Sequence, residues 1–507
     1  MEKITIDLHS KFFQLFSLCG LSLALGFLFD YLIYDHAFGI NVPIFIFIAI
    51  TFGILLALSY RVAIPKLAYL FFAIGLGFAF LLFFRANALL SFCNFCAMGF
   101  FLLLGVIQLT EKFIHKFLAF DYWKTLALPL FFVPPFLKTL QDLITIRHSD
   151  TKRDTAIQII RGTIVALVIV AVLLALFASA DLVVQDFFTR LFSNELDAEQ
   201  IAEFLVRTFF VTFIAGAFLG LYAYAFRHPR VHAPTSDATP VKFIKSIELG
   251  IILIATNLIF ITFLTIQATN LFGGHNALDR LGITYAEYAQ RGFFELIVAA
   301  LLVALVLWIA DKYSAKNTVN EKTSFLFLSS LLLVQTIVLM ASAFYRLALY
   351  EGAYGYTTLR LFSHAFIIWI ALALVYFLVK IWFAKKEEHF ALATFGTGVV
   401  LLLALNALNP DAFMATQHLQ RAAGTETFDA PFLSQLSADA VPVLYEAMRA
   451  NTDARLPEVL ADWKGERFDY SGEKGPATLR SQYVGWQAYH FARTHALDVL
   501  ADVNVQR

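Results

Sequence analysis

Eleven apolar stretches, each long enough to cross a bilayer, alternate along most of this chain with polar loops. A helix needs about 20 apolar residues to span about 30 Å of hydrocarbon. The candidate spans are 12–34, 43–60, 67–84, 88–110, 159–180, 204–226, 247–270, 293–311, 324–345, 361–383 and 390–408. Their apolar runs are continuous rather than alternating, so helices, and not the strands of a closed barrel, satisfy the backbone in lipid. The expected class is all-α, a polytopic transmembrane helix bundle. Hydrophobic residues at 59% and charged residues at only 15% agree, because a soluble domain could not hide so much apolar surface. Net charge is zero, which gives no reason to expect a nucleic-acid partner. Three cysteines cannot make a disulfide framework. The first apolar segment lacks a small-residue cleavage site and is expected to stay as a signal anchor.

Orientation follows from the Lys and Arg of the loops. The N-terminus, 61–66, 111–153, 227–245, 312–322 and 380–386 together hold 21, whereas 35–42, 85–87, 181–203, 271–292 and 346–360 hold 6. The positive-inside rule makes the first set cytoplasmic, with the N-terminus inside and everything after Asn409 outside. The segment 117–137 breaks the regular pattern: its apolar run is short, carries Asp121 and Lys124, and is interrupted by Pro134-Pro135. It reads as interfacial or half-inserted. Pro229, Pro234 and Pro240 mark 227–245 as a flexible connector between two halves. The expected organisation is a four-span bundle over 1–116, a cytoplasmic or interfacial connector over 117–158, a seven-span core over 159–408 and a helical extracytoplasmic tail over 409–507. In the tail, Asn409-Pro410-Asp411 suits a helix start, with a helix to about Ala423. Short helices are expected near 432–436, 439–450 and 456–462. A longer helix over 478–500 would carry Tyr483, Trp486, Tyr489 and His490 as an aromatic stripe.

Three stretches, Gly282-Ile-Thr-Tyr-Ala-Glu-Tyr-Ala-Gln-Arg-Gly-Phe-Phe-Glu295, Tyr354-Gly-Tyr-Thr-Thr-Leu-Arg-Leu-Phe-Ser-His364 and Leu408-Asn-Pro-Asp-Ala-Phe413, resemble a bacterial multi-pass inner-membrane family known only as a domain of unknown function. The resemblance covers roughly 159 to 500 and leaves the first four spans outside it. It implies the bacterial inner membrane as the location, and carries no activity, substrate or cofactor with it.

The chemistry-bearing residues collect on the outer side. Glu287, Arg291 and Glu295 are spaced i, i+4, i+8 on a helix face leading into the span at 293–311, with Glu295 just below the interface. Arg346 closes the span at 324–345, Glu351 sits in the short loop, and Arg360 starts the next span with His364 one turn deeper. Tyr285, Tyr288, Tyr345, Tyr350, Tyr354 and Tyr356 surround them. Tyrosines and arginines at helix ends also form an ordinary interfacial belt, with Arg–Glu pairs that fix hairpin packing. Charges below the interface, however, are costly and generally face a protein interior or a wet cavity. On that reading Arg291, Arg346 and Arg360 hold an anionic headgroup or carboxylate, and Glu295 and His364 handle protons.

Asn257, Gln267, Gln335 and Asn406 inside the spans are expected as interhelical ties. Cys93 and Cys96 have redox-motif spacing, and two small buried residues on one helix face is the plainer account. No metal site or other cofactor is expected, and P-loop, HExxH and GxSxG motifs are absent. Three readings remain: transport or handling of a lipid or envelope component, a sensory or scaffolding protein whose tail binds a partner, and, less favoured, an intramembrane enzyme using Glu295, His364 and Arg360. The partners to expect are membrane lipid, an anionic lipid or small-molecule ligand, and an extracytoplasmic protein.

Overall fold

The structure, a computed structural model, describes residues 2–110, 119–145, 198–227, 242–271, 293–425, 428–469, 478–479 and 485–501. Four long helices open it: α1 (Glu2–Leu32), α2 (Asn41–Ser59), α3 (Lys66–Phe84) and α4 (Ala88–Thr110). Short elements follow: α5 (Ala119–Leu126), a 3₁₀ turn at Leu128–Phe132 and α6 (Val133–Thr145). Then come α7 (Ala198–Arg227), α8 (Ser246–Leu271), α9 (Phe293–Tyr313), α10 (Val319–Tyr354), α11 (Thr358–Trp382) and α12 (Glu387–Leu408). The tail holds α13 (Pro410–Thr425), α14 (Ala430–Gln435), a 3₁₀ turn at Ala438–Ala440, α15 (Val441–Arg449), α16 (Leu456–Arg467), a second 3₁₀ turn at Trp486–Ala488 and α17 (Phe491–Val499). A two-residue antiparallel ladder, Phe468–Asp469 with Thr478–Leu479, is its only sheet among the described residues.

Ten of the described helices are long and apolar enough to cross a membrane, and they coincide with ten of the eleven predicted spans. The eleventh, 159–180, lies outside the described residues. Just before that gap Asp142 and Thr139 bind Arg227 at the Tyr60 end of the bundle. After it Arg207 pairs with Asp30 at the opposite end. The described chain therefore stops at Thr145 at one end of the bundle and resumes at Ala198 at the other.

The helices group in space on either side of the 227–245 connector, of which 228–241 is not described. One core joins α1–α4 with α6 and α7, around Leu18, Leu25, Leu56, Phe78, Leu104 and Tyr222. The other joins α8–α11, around Leu253, Ala300, Leu307, Leu332 and Leu374. In the first, α1 and α7 approach so closely that a Cβ on Gly26 would collide with the Val211 carbonyl oxygen, the small-residue contact on which packing in lipid depends. Between the two groups, the Asn94 and Asn406 side chains exchange a reciprocal pair of hydrogen bonds, 2.8 and 2.9 Å. The other predicted amides also tie helices: Asn257 meets Gln335 at 3.1 Å, and Ser342 donates to Gln267 at 3.0 Å. The segment around 117–137, described from residue 119, is built of short elements. Its Tyr122 stacks on Phe395 at 4.9 Å, which wedges α5 between α4 and α12.

Two expectations change. The helix ending the ninth predicted span does not stop at 345. From its Thr318–Glu321 capping box, α10 runs 36 residues to Tyr354, about 54 Å at 1.5 Å per residue, well past about 30 Å of hydrocarbon. Arg346 and Glu351 are therefore helical, and the loop shrinks to 355–357. The tail has no helix over 478–500: Gly485 takes φ +102°, and α17 starts only at Phe491, so the aromatic stripe does not form. Tyr483 lies outside the described residues.

The tail has its own core, with Trp463, Val441, Leu444 and Met414 buried together. It sits on three loops at one end of the bundle, hereafter the tail end. Ile40 N–H donates to the Tyr489 carbonyl (2.8 Å), Ala86 and Asn87 N–H donate to Asp439 Oδ2 (2.7 and 3.2 Å), and His418 Nε2 meets the Tyr356 carbonyl (2.9 Å). These loops are the ones that the Lys/Arg count places on a single side.

Candidate functional site

The end of α10 and the start of α11 form a hairpin turning through Gly355, which takes φ +81°. A side chain there would be strained, and its Cβ would fall 2.6 Å from His418 Cε1. On α11, Arg360 and His364 are four residues apart and share a face. Because α10 continues as a helix, Glu351 meets that face: its Oε2 lies 2.8 Å from His364 Nε2, and the Glu351 side chain is only 5% exposed. The other two atoms of this pair, His364 Nδ1 and Glu351 Oε1, are buried with no hydrogen-bond partner. Phe344 packs edge-on against the imidazole, ring centroids 4.3 Å apart.

Arg360 lies above this pair. Its guanidinium stacks on Tyr350 at 3.9 Å and donates to the Gly355 carbonyl. No carboxylate pairs with it among the described residues. Arg346, half-buried, lies about one turn before Glu351 on the same helix. The tail covers the turn: His418 of α13 holds the Tyr356 carbonyl and packs on Phe432 at 4.5 Å, and Phe413 packs edge-on to Tyr356 at 5.3 Å. Burial pushes the Tyr356 phenol above its ordinary pKa, and the Glu351 charge pushes the same way.

Of the seven residues singled out from the sequence, Arg346, Glu351, Arg360 and His364 are brought to one helical hairpin. Glu295 stands in the first turn of α9, exposed, and takes no part in the Glu351–His364 pair. Glu287 and Arg291 lie outside the described residues. The partner of His364 is thus Glu351, 13 positions away. The sequence reading placed Glu351 in a loop, and the apolar run gave no sign that α10 would carry it back over α11.

Sequence reasoning also missed the polar seat of the tail. Asp439 lies at the N-terminus of α4, where orphan backbone N–H groups and the helix dipole favour an anion. Arg85 stands 3.7 Å away. Asn87 caps the same helix through Leu90 N–H (2.9 Å) and donates to Asp411 Oδ1 (2.6 Å), while Asp411 Oδ2 accepts from Ser437 N–H (3.0 Å). Burial raises the Asp439 pKa from its ordinary value, against the Ala86 N–H and Arg85, which lower it. His490 is buried against the Arg85 carbonyl at 3.2 Å, and that burial, with Arg493 nearby, lowers its pKa to about 4. Asp411 lies inside the Leu408–Phe413 motif and His490 inside the expected aromatic stripe, but neither pattern pointed to α4, and Asp439 gave no signal.

Cys93 and Cys96 are free thiols, half-buried and exposed on α4. Among the described residues no three His, Cys, Asp or Glu side chains gather as a metal site would require.

The family model described as "Domain of unknown function (DUF4153)" matches residues 70–447. All three motifs fall inside it, and it starts in α3 rather than at 159, so the third and fourth spans belong to the family as well. No curated protein and no solved structure matches the chain. With ten apolar helices of crossing length and a family match over most of its length, the chain is a multi-pass integral membrane protein that belongs to the DUF4153 family.

Proposed function

We propose that this protein handles an anionic amphiphile of the bacterial inner membrane or envelope, with Arg360 as the group that holds the anion and Glu351–His364 as a proton-handling pair beside it. The observation that carries this reading is the Arg360 guanidinium, half-buried at the end of a span and without a carboxylate partner among the described residues. A planar guanidinium suits phosphate or carboxylate oxygens, and a charge left unbalanced at that depth is costly unless it has a use. The buried Glu351–His364 pair adds to this, because hairpin packing alone gives no reason to leave Glu351 Oε1 and His364 Nδ1 buried without partners. By the Lys/Arg count the site faces the extracytoplasmic side, under a tail whose His418 closes over it.

The structure offers less to the other readings. The large exposed aromatics of the tail, Trp486, Tyr489 and Phe491, stand beside bundle residues Tyr31, Phe83 and Phe84, so they mark a seat on the bundle rather than a free surface for a protein partner. An intramembrane enzyme built on Glu295, His364 and Arg360 lacks the convergence it needs, since Glu295 is exposed on another helix.

Arg360→Ala, present in the membrane at the wild-type level, is expected to fail to complement a strain lacking the protein, and Arg360→Lys to restore only part of the function. Full complementation by Arg360→Ala overturns the reading.

A further inference from the structure

A second site is open on the half of the bundle away from the tail. Helices α9, α10, α11 and α12 leave a lateral groove between them, closed on one side by Trp123 of α5, with a cavity of about 350 Å³. That volume lies in the range of about 300–1,000 Å³ typical of small-molecule sites. Trp123, Trp308, Trp369, Leu333, Phe377 and Phe390 line it. The wall offers hydrocarbon and ring faces only. The Trp369 indole N–H already donates to the Thr394 carbonyl (2.9 Å), and that of Trp308 to Glu387 Oε1 (3.0 Å). An occupant therefore gains no hydrogen bond from these two indoles, and at this depth the surrounding solvent is lipid chain.

Charge at the rim narrows the choice. Next to the groove, Lys316 and Lys380 both bind Asp311, at 3.0 and 2.9 Å, and so are already held by a carboxylate. Lys312 differs: its ammonium stands 4.9 Å from the Trp308 ring and 5.9 Å from that of Tyr313, and it forms no ion pair among the described residues. Glu387, the nearest acid to that ring, is held by the indole N–H. A cation poised over the aromatic rim of a hydrocarbon groove matches a phosphate headgroup above an acyl chain.

We propose that this groove holds one acyl chain of an anionic phospholipid, with the headgroup phosphate on Lys312. The site shares no residue with the Arg360 cluster, and Lys312 stands in the last turn of α9, at the end of the bundle opposite the tail. The test is native mass spectrometry of the full-length protein titrated with phosphatidylglycerol or with phosphatidylcholine. Phosphatidylglycerol is expected to bind preferentially, and Lys312→Ala to reduce that preference about fivefold while leaving phosphatidylcholine binding unchanged. Ala304→Phe, which fills the groove, is expected to lower the preference as Lys312→Ala does, and the two changes together to lower it no further than either alone. Should a filled groove distort the bundle, quenching of the wild-type tryptophans by phosphatidylglycerol with brominated chains reads the same contact, and is expected to exceed quenching by brominated phosphatidylcholine. Equal binding and equal quenching by the two lipids, or undiminished preference in Lys312→Ala, overturns the proposal.

Discussion

Gly355 shows how much one residue carries at the site. Its φ of +81° and the His418 ring packed against it leave no room for a side chain. Gly355→Ala is expected to cost about 1–3 kcal/mol and to loosen α13 from the turn, seen as faster proteolysis of the tail. Gly352, three residues earlier, has nothing within 4 Å of an added Cβ, so Gly352→Ala should leave the tail's protection unchanged. A comparable test applies in the membrane interior. Asn406→Leu strands Asn94 opposite an apolar side chain and is expected to lower thermal stability by about 1 kcal/mol, whereas the double change to Leu at both positions should recover part of that loss. Asn406 stood out as a lone amide in an apolar run, but its partner is 312 positions away and no local pattern could name it.

Among elements, the seat of the tail on α4 is the contact most exposed to pH. His490 is docked in its neutral form, and its docked-state pKa of about 4 lies below the 6.5 of a free histidine. Docking is therefore at full strength above about pH 6.5, weakens as pH falls below it, and has lost the whole contribution by about pH 4. That loss is on the order of 3 kcal/mol, at 1.36 kcal/mol per pH unit. Asp439, on the same seat, opposes it: its pKa is raised, so its buried charge costs most at high pH and protonation on acidification relieves that cost. Arg85 and Arg493 are the charged neighbours on either side. The protection factors of α15 and α17, with exchange normalised to the intrinsic amide rate at each pH, are expected to fall between pH 6.5 and 4 in the wild type and to do so less in His490→Gln. An identical response in that variant would assign the weakening to another group.

At the scale of the whole molecule, the tail and the loops at 33–40, 85–87 and 355–357 share one end of the bundle, and the loops after α2, α9 and α11 share the other. The positive-inside rule, applied to the Lys/Arg excess of the second set, predicts a cytoplasmic position for it. A reporter that is active only outside the cytoplasm, fused after Thr425, should be active, and the same reporter in the loop at 314–318 should be silent. Opposite results would invert the orientation and move the Arg360 cluster to the cytoplasmic face.

Run length decided the spans because lipid imposes a local rule: each crossing segment must satisfy its own backbone and present apolar side chains for about 20 residues, and that is written in consecutive letters. Helix ends beyond the hydrocarbon answer to no such rule, so α10 could run on to Tyr354 and the 478–500 segment could break at Gly485 without a change in apolar run to announce either. The same difference separates Arg360 and His364, whose shared helix face follows from spacing alone, from Glu351, Asp439 and His418. Those three find their partners only once helices pack and the tail docks, since burial and charge pairing depend on groups far apart in the chain.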